Sequence, residues 1–337
     1  MQETNKLKQL SADDPAVDSI LRPSSWQDYV GQDKVKRNLK IILEAAMKRK
    51  ESCDHLLFYG QAGLGKTTLA YLVAKELNSN LKVTSGPALE KAGDLAAVLS
   101  NLEKNDVLFI DEIHRLNRMI EEVLYPAMES RKLHLVIGKG PAARTVTLDL
   151  PPFTLVAATT RINLLSGPLR SRFGATFKLD YYDFKSIEEI LKRSSKILRI
   201  DVDEGAIGVI AKASRFTPRV ANRLLKRVRD FAQVSSVEKI DSEIAKKTME
   251  LLEIDNLGLE TYDRRLLEVL IQKFHGGPAG VGSLAAALNE DKGNIEDVYE
   301  PYLMNIGLLM RTPLGRVVTR SAYEHLGFKP PEESSLF

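Results

Sequence analysis

Gly60-Gln61-Ala62-Gly63-Leu64-Gly65-Lys66-Thr67 is the stretch whose reading decides the fold. It matches the pattern G-x-x-x-x-G-K-[ST] at every fixed position. The apolar run His55–Tyr59 precedes it and reads as a buried strand; Thr67–Leu77 follows with helical periodicity. Strand, glycine turn and helix in that order form a phosphate cradle: the glycines let backbone N–H groups point inward, and the helix presents its positive dipole end. An ordinary glycine turn is the competing reading, and the flanking strand and helix argue against it. Lys66 is placed to reach the β- and γ-phosphates of ATP, and the Thr67 hydroxyl to hold Mg²⁺.

The next apolar run, Asp106–Ile110, ends in Asp111-Glu112-Ile113-His114, about 45 residues beyond Lys66. Acids at the carboxyl end of a strand lie at the mouth of an α/β sheet, beside the phosphates. Asp111 suits a Mg²⁺-bound water, and Glu112 suits the base that activates the attacking water. A third apolar run, Phe153–Ala158, closes on Thr159-Thr160, where a hydroxyl could reach the γ-phosphate or its water. In Pro168-Leu169-Arg170-Ser171-Arg172-Phe173-Gly174 two arginines are candidates for stabilising transition-state charge. If they end the domain away from the cradle they cannot easily reach the chain's own ATP, which suggests a finger supplied to a neighbouring subunit, and so a ring. Thr217-Pro218-Arg219 opens a basic helix with Arg223, Lys226, Arg227 and Arg229. Most of that run reads as a solvated face; Arg219, at the helix start, is the one placed on the γ-phosphate.

Strands alternating with helices predict an α/β fold, a parallel sheet covered on both faces. Residues 1–20 read as a loose arm, and Gln32–Lys50 as an amphipathic helix. Within 133–150, Leu133, Leu135 and Ile137 alternate, a Gly-Pro turn follows, and Val146, Leu148 and Leu150 alternate: a β-hairpin. From Asp183 to Glu253 only helical periodicity remains, which predicts a small all-helical domain. Asn256-Leu257-Gly258 reads as a linker. Helices over about 260–274, 283–288 and 294–308, then the β-branched segment Arg311–Thr319, follow the winged-helix order. The expected domains are 1–182, a large ATPase domain with the hairpin inserted; 183–255, a small helical lid; and 256–337, a winged-helix head.

Of the 337 residues, 44% are hydrophobic and 28% charged, and the net charge is +3, too small by itself to argue for nucleic acid. Cys53 is the single cysteine, which excludes a disulfide framework and suits a small packing residue in a reducing cytosol. The five histidines show no metal-ligand spacing. Met1–Leu10 lacks the apolar region of a signal peptide, and no apolar run approaches a membrane span, so the expectation is a cytoplasmic protein without a membrane partner. Residues 258–337 carry 8 Lys and Arg against 11 Asp and Glu. DNA binding by an acidic head must therefore rest on a local patch, Arg311, Arg316 and Arg320, with few phosphate contacts per subunit.

Taken together, these segments resemble the AAA+ superfamily of ring ATPases. Within it the chain is similar to the RuvB family of Holliday-junction branch-migration motors, over roughly residues 20–328. The matching segments are LRPSSWQDYVGQ (21–32), GLGKTTLA (63–70), DEIHRLN (111–117), IGKGPAART (137–145), LDLPPFTL (148–155), PLRSRFG (168–174), TPRVANRLLKRVRD (217–230) and YLMNIGLLMRTPLGR (302–316). The resemblance implies that Leu21, Arg22, Tyr29 and Val30 frame the adenine. Gly63, Gly65, Lys66, Thr67 and Thr68 would hold the phosphates, with Asp111 and Glu112 as the acids and Thr160 as a sensor. Tyr182 and Arg219 would report nucleotide state to the lid, and Arg172 would complete the adjacent subunit's site, although the motif alone does not choose between Arg170 and Arg172. It implies a homo-hexameric ring on duplex or four-way-junction DNA, acting in recombination and repair. A RuvA-like partner would dock on hairpin 133–150, Arg311 and Arg316 would touch the DNA backbone, and a RuvC-like resolvase is a further component.

The chain departs from the family pattern at specific points. Gln61 and Ala62 replace two cradle prolines, Ser130-Arg131 an acidic-aromatic pair, Ile162-Asn163 a small pair, and Leu314 a third wing arginine. Two other readings share many of these motifs: an ATP-gated winged-helix switch of the replication-initiator kind, and a clamp-loader subunit. The switch has no use for a docking ribbon inside the ATPase domain, and the clamp loader expects a helical collar where this chain has a wing.

Overall fold

The computed structural model describes residues 19–137 and 144–330. These fall into two compact units, divided between Ser186 and Ile187.

In the first unit, α1 (Asp33–Arg49) buries Val35, Leu39, Leu43 and Ala46 along one stripe, the 3.6-residue repeat carried by the sequence. Strand β1 (Leu56–Tyr59) feeds the glycine loop and α2 (Lys66–Glu76). Then come β2 (Leu81–Ser85), α3 (Ala92–Ser100), β3 (Val107–Asp111), α4 (Arg118–Ser130), β4 (Lys132–Ile137), β5 (Arg144–Asp149), β6 (Thr154–Thr159), α5 (Gly167–Ser171) and β7 (Ala175–Lys178). The main sheet is parallel, in the order β2-β3-β6-β1-β7. Its inner strands are apolar because they are covered on both faces; β6 is buried at every position. The edge strands LKVTS and ATFK carry no such run, and the sequence did not announce either of them. The cradle leaves the carboxyl end of β1, at the point where the strand order turns back.

The expected hairpin forms as β4 paired antiparallel with β5, from Lys132↔Asp149 to Ile137↔Arg144. Its Gly-Pro turn lies outside the described residues. Leu133 is buried in the unit's core, whereas every residue of β5 is exposed.

Helix α6 (Phe184–Leu198) carries the chain into the second unit, followed by β8 (Asp201–Val202), α7 (Glu204–Ala213), α8 (Pro218–Val234), β9 (Lys239–Ile240) and α9 (Ser242–Leu251). The lid departs from the all-helical expectation only in the two-residue parallel pairing of β8 with β9. The head adds α10 (Thr261–Phe274), α11 (Val281–Leu288), α12 (Lys292–Asn294), a π-helical turn over Ile295–Tyr299, α13 (Glu300–Asn305), the wing strands β10 (Leu309–Thr312) and β11 (Gly315–Val318), and α14 (Arg320–His325). No described helix is long and apolar enough to cross a membrane.

Residues 256–258 are a pinned turn rather than a free linker. Leu257 and Leu259 donate backbone N–H groups to Asp255 Oδ1 at 2.9 and 2.8 Å. Arg215 Nε donates to Gly258 O at 3.0 Å, its guanidinium pairs with the buried Asp263, and Arg223 Nη2 reaches Glu260 Oε1 at 2.7 Å. Lid and head therefore pack as one unit.

Arg316 is not exposed as an arginine that touches DNA backbone is expected to be. Its side chain is only 7% exposed and is enclosed by acids: Nε donates to Glu300 Oε1 at 2.6 Å, and Nη2 to Glu296 Oε1 at 3.0 Å. Glu300 is itself buried. Such a pair is a wing brace, and its charge is already spent within the head. Removing one partner leaves a buried charge uncompensated, so Arg316→Ala is expected to destabilise the head by about 3–5 kcal/mol. The urea unfolding midpoint measures this. A variant of unchanged stability that had lost only DNA affinity would return Arg316 to the surface.

Candidate nucleotide site

The cradle's backbone requires its glycines. Gly60 has φ +145, and a Cβ there would lie 2.4 Å from Leu179 O; Gly65 has φ +96, with the Tyr29 hydroxyl 2.9 Å from where a Cβ would sit. No side chain fits either place, so a positive-φ turn opens directly onto the start of α2. Lys66 is 7% exposed and donates to Gly60 O at 2.7 Å and Gln61 O at 2.8 Å. Burial lowers its ammonium to about 8, against the opposing pull of Asp111 and Glu112. An anion in the loop would restore the charged form that burial disfavours, which is the electrostatic basis for phosphate capture.

Thr67 Oγ1 donates to Asp111 Oδ2 at 3.4 Å. A hydroxyl and a carboxylate oxygen side by side at the loop's mouth fit Mg²⁺, a hard cation that takes few protein ligands and keeps waters and phosphate oxygens for the rest. Asp111 also accepts the Glu112 backbone N–H at 2.9 Å. Glu112 has φ 48, a left-handed backbone, and its carbonyl lies 2.4 Å from where a Cβ on Gly86 would be. Strain of this kind persists only where the surroundings impose it. It turns the Glu112 side chain out of the strand, 47% exposed and 3.3 Å from Arg115 Nη1.

Of the two threonines after β6, Thr159 is committed inside the fold. Its hydroxyl lies 3.0 Å from His114 Nδ1 and accepts the Arg161 N–H at 3.0 Å. Thr160 is half-buried just beyond the strand end, which leaves it as the sensor candidate. The tie between Thr159 and His114 joins β6 to the acids after β3; the sequence had shown His114 without a role.

The segment expected to frame the adenine packs along α2. Leu21 is buried, Arg22 lies 4.2 Å from the centroid of the Tyr71 ring, and Trp26 Nε1 donates to Glu76 at 2.8 Å. Tyr182 Oη lies 3.3 Å from both Tyr29 Oη and Leu64 O. Burial raises both phenols, Tyr182 to about 12 and Tyr29 well above its ordinary value. Tyr29, Tyr182, Leu64 and Gly65 are thus together, with Val30 half-buried beside them and Gly63 and Thr68 within the loop and helix.

Arg172 stands elsewhere in the same unit. Gly174 N donates to His55 O at 2.9 Å, before β1 begins, and Ala175 pairs with Leu56. The cradle begins beyond the other end of β1, roughly 13 Å along four extended residues. Arg172 lines a cleft of about 710 Å³ with Asp54, Glu129 and Arg131. Cys53 lies there too, its thiol pushed up to about 12 by burial. Arg170 is exposed on α5. At the departure Ser130-Arg131, Arg131 caps α4 with φ 55 and donates to Ser52 Oγ at 3.1 Å.

Arg219 belongs to the second unit, exposed in the first turn of α8. A cation at a helix's positive end is disfavoured unless an anion accompanies it. In the head, Arg311 is 55% exposed and 3.5 Å from Glu296, and Arg320 pairs with Glu324 at 3.1 Å. Leu314 stands 80% exposed at the wing tip.

Three family models match the chain in succession: the Holliday junction DNA helicase RuvB P-loop domain over 21–179, the RuvB AAA lid domain over 182–255, and the RuvB C-terminal winged helix domain over 256–327. A solved structure described as the Thermotoga maritima RuvB Holliday junction branch migration motor is 49% identical, covering 93% of this chain and 100% of its own, with a TM-score of 0.86. Two single-residue variants of that protein, one lysine to arginine and one arginine to alanine, match at 48% identity with TM-scores of 0.85, over 92% of this chain and 99% of their own. The parallel-sheet ATPase unit, the helical lid and the winged head, matched in succession over residues 21–327, make this chain a member of the RuvB family of ATP-driven Holliday junction DNA helicases.

Proposed function

We propose that the protein is the motor subunit of a branch-migration complex, working as a homo-hexameric ring that moves duplex DNA through a four-way junction. The observation that carries this reading is the position of Arg172, at the opposite end of β1 from its own cradle. An arginine so placed serves a site on another subunit, and identical subunits related head to tail form a ring when the rotation between them closes.

In each site Lys66 neutralises phosphate charge, and Thr67 and Asp111 would hold Mg²⁺, which would add charge neutralisation at the phosphates. Glu112 accepts the proton of the attacking water, Thr160 orients that water, and Arg172 from the adjacent subunit meets the charge developing on the transferred phosphoryl group. Tyr29 and Tyr182 back the loop and frame the base with Leu21, Arg22 and Val30. Tyr182 and Arg219 carry nucleotide state toward the lid. Hairpin 133–150, with its exposed second strand, docks a RuvA-like junction-binding protein, and a RuvC-like resolvase acts on the same assembly. The head touches DNA backbone through Arg311 and Arg320, a small patch that implies weak binding per subunit and affinity gained by assembly. Such a machine works in the cytoplasm.

A synthetic four-way junction with a RuvA-like protein tests the whole. Junction DNA should stimulate continuous ATP turnover, with strand exchange dependent on it. Slow hydrolysis that only gates DNA binding, without strand exchange, would make the protein a switch.

A further inference from the structure

We propose that Tyr125 is the positioning residue for the arginine supplied to the neighbouring site, held in place by Glu121 and Ser166; this rests on the reading of Arg172 above. Helix α4 carries Glu121, Tyr125 and Glu129 at four-residue intervals, which puts them on one face. The Arg172 guanidinium carbon lies 4.4 Å from the centroid of the Tyr125 ring. Arg172 Nη1 donates to Pro168 O at 2.6 Å, and Nη2 lies 3.0 Å from Glu129 Oε1. The ring is itself fixed: the Tyr125 hydroxyl donates to Glu121 Oε2 at 2.8 Å and lies 2.9 Å from Ser166 Oγ, which reaches the same carboxylate oxygen at 2.6 Å. Glu121 is buried. Ser166 is also the N-cap of α5, accepting the Leu169 N–H at 3.2 Å. The network therefore grips the start of the short helix that ends at Arg172, while the ring supports the arginine at the other end.

The contacts of Arg172 differ in kind. Glu129 is 59% exposed, whereas Arg172 is 20% exposed. Water screens the ion pair, and a phosphate of higher charge can displace the carboxylate. The aromatic face needs no displacement, because a guanidinium stacks on it while its edge donates elsewhere. Arg172 Nε is buried without a hydrogen-bond partner, a cost the chain bears in holding the fork on the ring. Glu129 is thus an exchangeable rest, and Tyr125 is the seat retained when the arginine engages.

Turnover in the assembled ring on junction DNA, with ATP binding measured separately, tests this. Tyr125→Ala is expected to lower kcat about a hundredfold, the scale of an ångström's misplacement, with KM and ATP binding within about twofold of wild type. Tyr125→Phe keeps the ring and should recover most of the rate. Arg172→Ala with Tyr125→Ala should be no slower than Arg172→Ala alone, because both remove one interaction. If Tyr125→Ala does not fold, Tyr125→Leu carries the same test with the apolar volume kept.

Mixed rings decide where the defect acts. Glu112→Gln subunits have an intact arginine and a dead site; Tyr125→Ala subunits have the converse. Mixing them should restore turnover, as should the parallel mixture of Glu112→Gln with Arg172→Ala. Recovery in the Arg172 mixture alone would overturn the role of Tyr125. Recovery in neither would overturn the trans reading of Arg172, and the proposal with it.

Discussion

Glu112→Gln should bind ATP as wild type does and lose turnover by about 10²–10⁴-fold, the range for removal of a general base. The substitution keeps the side chain's shape, so the left-handed backbone at φ 48 and the close approach of Gly86 survive it. It takes away only the capacity to accept a proton. The pair with Arg115 is half-exposed on both sides and does not hold Glu112 away from a water nucleophile, since exposed pairs contribute little. Binding rests on Lys66, Thr67 and the loop N–H groups, which the change leaves alone. Phosphate release and equilibrium nucleotide binding, measured on the same preparation, separate the two effects. Turnover within tenfold of wild type would remove Glu112 from the role of base.

How much of this was legible beforehand followed from how local each signal is. The loop at 60–67 announces itself because every feature is a backbone demand met within eight residues: positive φ at Gly65 and no room for a side chain at Gly60. The inner strands were legible from their apolar runs. Edge strands β2 and β7 were not, since a strand with one open edge carries Lys and Thr without penalty. Thr159 and Thr160 could not be separated in sequence; the strand's last turn decides which hydroxyl His114 captures. The burial of Arg316 has no local signal for a related reason. A wing arginine looks exposed in sequence, but its partners Glu296 and Glu300 come from the preceding helical segment, 20 and 16 residues away. Glu121 and Tyr125 carry no local signal because Ser166 and Arg172, the groups they meet, lie more than 40 residues on. The acidic count of the head implies a small basic patch, and the burial of Arg316 leaves less of it exposed.

Arg172→Ala is expected to have the largest effect of any single change, about 10³–10⁵-fold in turnover, the range over which an arginine finger acts. Little else should change. The contacts it loses are one partly exposed ion pair, a backbone carbonyl and a ring face, and its Nε was unsatisfied in any case, so folding stability should fall by only about 1 kcal/mol. ATP binding to the chain's own cradle should not change, because β1 stands between the two. Arg172→Lys should not rescue it, since an ammonium lacks the planar fork that meets phosphate oxygens while resting on an aromatic ring. The location of the residue also makes turnover depend on assembly. Wild-type turnover per subunit should rise with protein concentration as rings form, from near zero in dilute protomer, while that of Arg172→Ala stays flat. A wild-type rate per subunit that does not depend on concentration would mean that each chain completes its own site, and Arg172 would then be a structural arginine at the base of the sheet.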